Sequence, residues 1–177
     1  MANTTFQGPV TSKNGFITTG PANVVDADAS VALTVSTHSG RIVHNNAAGA
    51  VTYTLPAINA NSDSAVAGPG ADLNNLSNIG ASFEIFASIT KTGDFVVQVA
   101  NSNDVMVGGA KFIDDSSDNM VGFETVAASD TITLNGSTTG GVTFAKVTCT
   151  AISSTQWKVD VESGCTGTPA TPFSAAV

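Results

Sequence analysis

Strict alternation of apolar and polar side chains along residues 40–89 constrains this chain more than any other feature. In Val51-Thr52-Tyr53-Thr54-Leu55-Pro56 the apolar Val51, Tyr53 and Leu55 fall on one face, with Thr52 and Thr54 on the other. That is the period-two pattern of a half-buried β-strand. Pro56 ends it, because proline has no N–H to give a ladder. Gly40-Arg41-Ile42-Val43-His44 precedes it, and Asn45-Asn46-Ala47-Ala48-Gly49 supplies residues that tolerate positive φ, so the two stretches read as a β-hairpin. Gly80-Ala81-Ser82-Phe83-Glu84-Ile85-Phe86-Ala87-Ser88-Ile89 is a third strand, beyond the long Ala/Asn/Ser/Asp/Gly-rich loop of residues 57–79.

The same alternation recurs along the body. Val31, Leu33 and Val35 mark a first strand beginning at Ser30. Phe95, Val97 and Val99 follow the turn Lys91-Thr92-Gly93-Asp94 and are expected to pair with the Phe83 strand. Val105 and Val107 lead to Gly108-Gly109, read as a kink or bulge before Phe112 and Ile113. Residues 120–126 and 131–134 are short strands. Residues 142–152 form the longest one, whose apolar parity shifts between Phe144 and Val147, so a bulge is expected near Ala145. Ser153-Ser154-Thr155 then closes a hairpin onto residues 156–162, with Trp157, Val159 and Val161 inward and Lys158, Asp160 and Glu162 outward. No stretch shows a capped 3.6-residue apolar period. About ten short strands at even spacing indicate an all-β chain, an antiparallel jelly-roll-like β-sandwich or barrel with extended N- and C-terminal arms.

Residues 1–28 form the N-terminal arm of this reading, 29–163 the sandwich body and 164–177 the C-terminal tail. Gly8-Pro9, Asn14-Gly15 and Gly20-Pro21 break the first segment into pieces too short for a core. The apolar residues between them, Phe6, Pro9, Val10 and Phe16, are the candidate anchors by which the arm holds a neighbour or a larger assembly.

Composition narrows the function. Only 11% of the 177 residues are charged, against roughly 25% in ordinary soluble domains, so much of the surface is expected to be covered by other subunits. The net charge is -8, and Lys13, Arg41, Lys91, Lys111, Lys146 and Lys158 stand singly, which argues against phosphate neutralisation and nucleic-acid binding. No apolar run reaches the roughly 18 residues of a membrane span, and no secretory leader pattern opens the chain.

Chemistry-bearing clusters are sparse. Asp114, Asp115, Asp118 and Asn119 are dense in oxygen but lack the EF-hand pattern and read as a solvated acidic loop rather than a calcium site. His38 and His44 are separated by Ser39-Gly40 and read as surface or interface histidines. Cys149 is expected opposite Asp160, too far from Cys165 for a disulfide, so both thiols are expected free. There is no Gly-x-Ser-x-Gly elbow and no phosphate-binding glycine loop. Carboxylate pairs for glycosidic cleavage meet only in a fold; Glu84 and Asp160 are examples of residues whose loss would test for such turnover. Neither catalysis, cofactor, metal nor small-molecule substrate is expected.

The Thr-Leu-Pro strand end, the loop and the Gly-x-x-Phe-x-Ile strand resemble a pattern of bacteriophage virion proteins, in particular head decoration (cement) proteins and some tail-fibre modules. Phe95-Val96-Val97-Gln98-Val99, Val105-Met106-Val107-Gly108-Gly109, Asp130-Thr131-Ile132-Thr133-Leu134 and Gln156-Trp157-Lys158-Val159 follow in the order those proteins use. The opening Ala2-Asn3-Thr4-Thr5-Phe6-Gln7-Gly8-Pro9-Val10 and Ser12-Lys13-Asn14-Gly15-Phe16 resembles decoration proteins of marine phages. The resemblance implies a structural virion protein, assembled in the host cytoplasm, that binds the major capsid protein on the outer surface of the head and stabilises the shell. It also implies a homotrimer, which the low charge independently favours. The alternative is a receptor- or glycan-binding module of a head or tail fibre, for which Tyr53 and Trp157 carry the polar ring atoms a sugar platform uses, although both hold core-parity positions.

Overall fold

Period-two patterning does produce strands, but most of them pair with partners distant in sequence. The computed structural model describes residues 23–59, 77–117 and 119–177. In chain order these form β1 (Val24–Asp26), β2 (Val31–Ala32), α1 (Val35–His38), β3 (Ile42–Asn45), β4 (Val51–Thr54), β5 (Ser82–Ala87) and β6 (Phe95–Gln98). There follow β7 (Val105–Asp114), β8 (Asn119–Glu124), β9 (Thr131–Leu134), β10 (Val142–Ala151), β11 (Gln156–Cys165) and β12 (Phe173–Ser174). A seven-stranded sheet, β1-β3-β5-β10-β11-β7-β8, packs on a five-stranded one, β12-β9-β6-β4-β2. The protein is an all-β sandwich.

The sheets are mixed rather than antiparallel. β1, β3 and β5 run parallel in the larger sheet, and β2, β4 and β6 run parallel in the smaller one. Each consecutive pair, β1/β2, β3/β4 and β5/β6, therefore crosses from one sheet to the other, and three such arches stack as rungs. This corrects two expectations. β3 and β4 do not form a hairpin, and β5 does not pair with β6; β3 pairs with β5, and β4 with β6. An arch and a hairpin share the same alternation, and what separates them is whether the two apolar faces meet across the core or lie side by side. Antiparallel pairing holds among later strands, in β10–β11, β7–β8, β6–β9 and β9–β12.

The core lies where the two inner faces meet. Val43, Phe83, Ile85, Val147, Trp157 and Val159 from the larger sheet oppose Val51, Tyr53, Leu55, Phe95, Val97, Ile132 and Leu134 from the smaller, all fully or almost fully buried. Phe83 meets Trp157 edge-on, with ring centroids 5.8 Å apart, and Tyr53 meets Phe95 at 5.4 Å. Trp157, Val159 and Val161 point inward as the alternation requires.

Local departures have physical causes. The first strand stops at Ala32, because residues 34–38 close a helical turn with His38 N–H donating to the Thr34 carbonyl at 2.9 Å. The Thr34 N–H donates to His38 Nδ1 at 2.9 Å, and Val35, expected inward, is exposed. The bulge near Ala145 is present: register shifts between Val142 and Ala145, with Thr143 at φ 62. Cys149 lies opposite Val159, one residue from the expected Asp160. At Gly108 the β7–β11 ladder continues without a shift. Glycine is needed there for closeness, since a Cβ would sit 1.8 Å from the Val159 carbonyl oxygen.

Both ends of the described chain join the body. Residues 24–26, placed with the arm on sequence, pair with β3, because in-register parallel stacking needs only a short segment. Residues 164–177 are extended, but they pack back. β12 pairs with β9, and the Asp130 carboxylate accepts the Ala176 and Val177 N–H groups at 2.8 and 3.2 Å.

The arch corners are held by a buried polar chain. Lys91, only 2% exposed, donates from Nζ to Asn45 Oδ1 at 2.6 Å and to the Ala47 carbonyl, and lies over the Phe95 ring at 5.3 Å. Asn45 Nδ2 donates to the Ala27 carbonyl at 3.0 Å, which also accepts from the Tyr53 hydroxyl. Burial lowers the Lys91 pKa and pushes the Tyr53 phenol up to about 12. Replacing Lys91 by alanine strands a buried acceptor on Asn45 and a half-buried one on Ala47, and Lys91→Ala is expected to cost roughly 2–4 kcal/mol, read as a lowered urea midpoint at unchanged slope. Cys149 and Cys165 are free and buried, and burial pushes the Cys149 thiol up to about 12 and raises that of Cys165. Neither is expected to react with a thiol-exchange reagent at pH 8 while folded, and both are expected to react once urea unfolds the chain.

Candidate interaction face

Alternation leaves every second residue of the larger sheet facing away from the core, and this outer face divides into two ends. At the β7–β8 end it is apolar. Met120 is 71% exposed and Ile113 52%, with Phe144 of β10 half-buried beside them, and Val107, 43% exposed, lies at the other end of β7. Ile113 pairs with Met120 across the ladder, so the two side chains stand together. A cleft of about 130 Å³ opens among Ile113, Met120, Phe144 and Ser163, rimmed by Lys111 and Glu162. A shallower groove of about 540 Å³ follows along Gly109, Gly122 and Phe123, where the glycines leave the backbone uncovered. Phe123 is anchored below it by Phe112, centroids 5.7 Å apart.

Charge on this face is largely internally neutralised. Lys146 pairs with Glu162 at 2.7 Å, raising the lysine pKa and lowering that of the carboxylate, and Lys158 pairs with Asp160 at 2.5 Å. Glu84 and Asp160 lie in one row across the sheet with Thr148 between them. Among the described residues β8 is the last strand of the sheet, and its sequence Asn-Met-Val-Gly-Phe-Glu carries a single charge. Such a strand presents unpaired backbone groups beside apolar side chains, which is a template for another chain.

The β1 end carries one exposed apolar pair, Val24 opposite Ile42, and next to it a polar row. Asp26 pairs with His44 in register, and their side chains meet, Asp26 Oδ1 to His44 Nδ1 at 2.9 Å. His44 Nε2 lies 2.9 Å from Ser88 Oγ, and Asn46 Oδ1 lies 3.3 Å from the same hydroxyl. A separate cleft of about 430 Å³ lies nearby, lined by Asn23, Arg41, Ile42, Glu84 and Thr148. The Arg41 guanidinium donates to the Thr37 carbonyl at 3.2 Å, which holds it against α1.

Several sequence candidates fall elsewhere. Phe6, Pro9, Val10 and Phe16 lie outside the described residues, as does Asp118. Asp114 caps its own turn, accepting from Ser116 N–H at 3.0 Å, Ser116 Oγ at 2.6 Å and the Ser117 hydroxyl, which together hold its carboxyl below the usual range. No grouping of three histidine, cysteine or acidic side chains suited to a metal occurs among the described residues. Tyr53 and Trp157 are fully buried, so neither presents a ring to solvent. His38 is turned back on Thr34 and is remote in role from His44. Sequence reasoning did not connect Asp26, His44, Ser88 and Asn46, because no spacing rule brings residues 18 and 44 positions from His44 beside it; only in-register rungs do.

No family model matches the chain, and neither curated proteins nor solved structures give a match to it.

Proposed function

We propose that this chain is a structural protein of a bacteriophage head, a decoration or cement protein that binds the major capsid protein on the outer surface of the shell and stabilises it. The observation that carries the proposal is the apolar pair Met120 and Ile113, exposed beside β8, which among the described residues is an open edge strand with a single charge. Such a margin costs solubility unless another protein covers it. The 11% charged composition points the same way, as does the resemblance of the chain's motif order to decoration proteins. In this reading the protein acts as a homotrimer, and Phe6, Pro9, Val10 and Phe16 anchor the N-terminal arm on the shell or on a neighbour.

The receptor- or glycan-binding alternative loses its two candidate platform residues, since Tyr53 and Trp157 are core.

Two experiments test the proposal. Ile113→Asp with Met120→Asp places charge where burial is required, and is expected to weaken binding to empty heads at least about tenfold while the β-rich circular dichroism spectrum is kept. Unchanged binding would place attachment elsewhere. Deleting residues 2–20 removes anchors worth roughly 1.5–3 kcal/mol per buried aromatic, and is expected to weaken attachment while sedimentation still reports a trimer. A truncated protein that decorates heads with full affinity would remove the arm from the mechanism, and an intact protein that sediments as a monomer at high concentration would remove the trimer.

A further inference from the structure

We propose that Asp26, His44 and Ser88 form a nucleophilic site that hydrolyses short-chain esters of exposed hydroxyl groups. The three residues come from three successive rungs. Asp26 of β1 pairs with His44 of β3, and Ser88 follows Ala87, which pairs with Asn45. The Ser88 N–H donates to the Asn45 carbonyl at 3.1 Å, which extends the rung contact by one residue and sets the serine beside the imidazole.

The hydrogen bonds specify the tautomer. A carboxylate only accepts, so Asp26 at 2.9 Å requires the proton on His44 Nδ1. Nε2 then presents its lone pair to the Ser88 hydroxyl at 2.9 Å, the orientation a general base needs. The imidazole is 29% exposed and Asp26 81%, so a substrate reaches the serine without entering a cavity.

One backbone donor beside the serine is left free. The N–H of Ile89, the residue after Ser88, has no acceptor among the described residues. The reason is the β10 bulge: the β5–β10 ladder ends at Ala87–Ala145, and the Thr143 N–H turns instead to Thr90 Oγ1 at 2.9 Å. A free N–H directly after a nucleophilic serine is one half of a common oxyanion site. Asn46 Oδ1 also accepts from the Ser88 hydroxyl, at 3.3 Å, a longer contact than the 2.9 Å to His44 Nε2.

In the first step Ser88 Oγ forms a bond to the acyl carbon while His44 Nε2 takes the hydroxyl proton. The ester C–O bond breaks, and the alcohol leaves with that proton. Water, deprotonated by the same nitrogen, then attacks the acyl-serine and releases the carboxylic acid, restoring Ser88. Flat surroundings, with half-buried Phe86 two residues before the serine, favour an acetyl-sized group on an exposed polymer or small alcohol over a peptide that needs a walled cleft. The sequence alone raised no expectation of this chemistry.

The test uses the full chain with p-nitrophenyl acetate, and with a fluorophosphonate probe followed by peptide mass mapping. Hydrolysis faster than that by an equal concentration of free imidazole, and a probe adduct on Ser88, are the expected results. Ser88→Ala and His44→Gln are each expected to lower the rate roughly 100-fold or to background, and Asp26→Asn to lower it while the fold is kept. Absence of an adduct on Ser88 in the unaltered protein overturns the proposal without recourse to any variant. So does a Ser88→Ala rate equal to that of the unaltered chain, which would mean that a histidine alone attacks the reagent.

Discussion

The stacked arch corners are the constraint on which the rest of this fold depends. A strand that leaves one sheet for the other takes its corner backbone out of both ladders, and those groups still need partners in a dry interior. Here the corners supply them to one another. Lys91 of the third rung reaches Asn45 and Ala47 of the second, and Asn45 reaches Ala27 of the first, where the Tyr53 hydroxyl also donates. Each bond joins adjacent rungs, so the chain of contacts sets the rungs in register. The energy balance is demanding, because a nearly inaccessible ammonium has no carboxylate within bonding distance among the described residues and relies on carbonyl oxygens and the Phe95 face. A polar network of this kind stabilises when every member is satisfied and costs heavily when one is removed.

The same in-register stacking explains which parts of the fold were legible in the sequence. The β10–β11 hairpin, its bulge and the inward set Trp157, Val159 and Val161 could be read because a local turn and period-two parity decide them. β3 with β4 was misread as a hairpin because Asn45-Asn46-Ala47-Ala48-Gly49 has hairpin-turn chemistry, yet it serves as an arch corner whose Asn45 side chain turns inward. Nothing in that pentapeptide distinguishes the two uses; the partner that decides it, Lys91, lies 46 residues on. Val35 was misread for a different reason. Its parity fits a strand, but His38 four residues later accepts the Thr34 N–H and closes a helical turn. Sites follow the same division. The apolar edge residues Ile113 and Met120 could be recognised as strand residues but not as exposed ones, because exposure depends on β8 being last in the sheet.

Edge protection is uneven between the two sheets, and this bears on what the protein meets. The smaller sheet ends in β2 and β12, each two residues long, which leaves little free ladder to template another chain. The larger sheet ends in the three-residue β1, where Asp26 is charged and engaged with His44. At its other end is the six-residue β8, which has no lysine, no proline and one acidic residue at its last position. Among the described residues, three of the four edges are thus blunted by shortness, and the fourth has none of the usual protections. A chain whose composition is otherwise so sparing of charge does not gain solubility from that edge. Its exposed Met120 and half-buried Phe123 are consistent with a surface that is covered in use.

The two ends of the outer face therefore obey different physics on one scaffold. At the β8 end, antiparallel pairing with β7 sets Ile113 opposite Met120, and removing apolar area from water is the available driving force. At the β1 end, parallel rungs set unlike polar groups side by side, and directional hydrogen bonds among Asp26, His44, Ser88 and Asn46 replace burial. Neither end could be exchanged for the other by changing side chains alone. The polar row needs three parallel strands in register, which only the arches provide, whereas the apolar margin needs a strand with a free edge, which only the end of the sheet provides. With six inter-strand spacings of about 4.8 Å each, the two edge strands lie roughly 29 Å apart. The sites on them are closer than the edges, because the apolar cleft reaches Phe144 on β10 and β10 pairs with β5, which Ser88 directly follows; an assembly that covers the whole cleft also approaches the polar row.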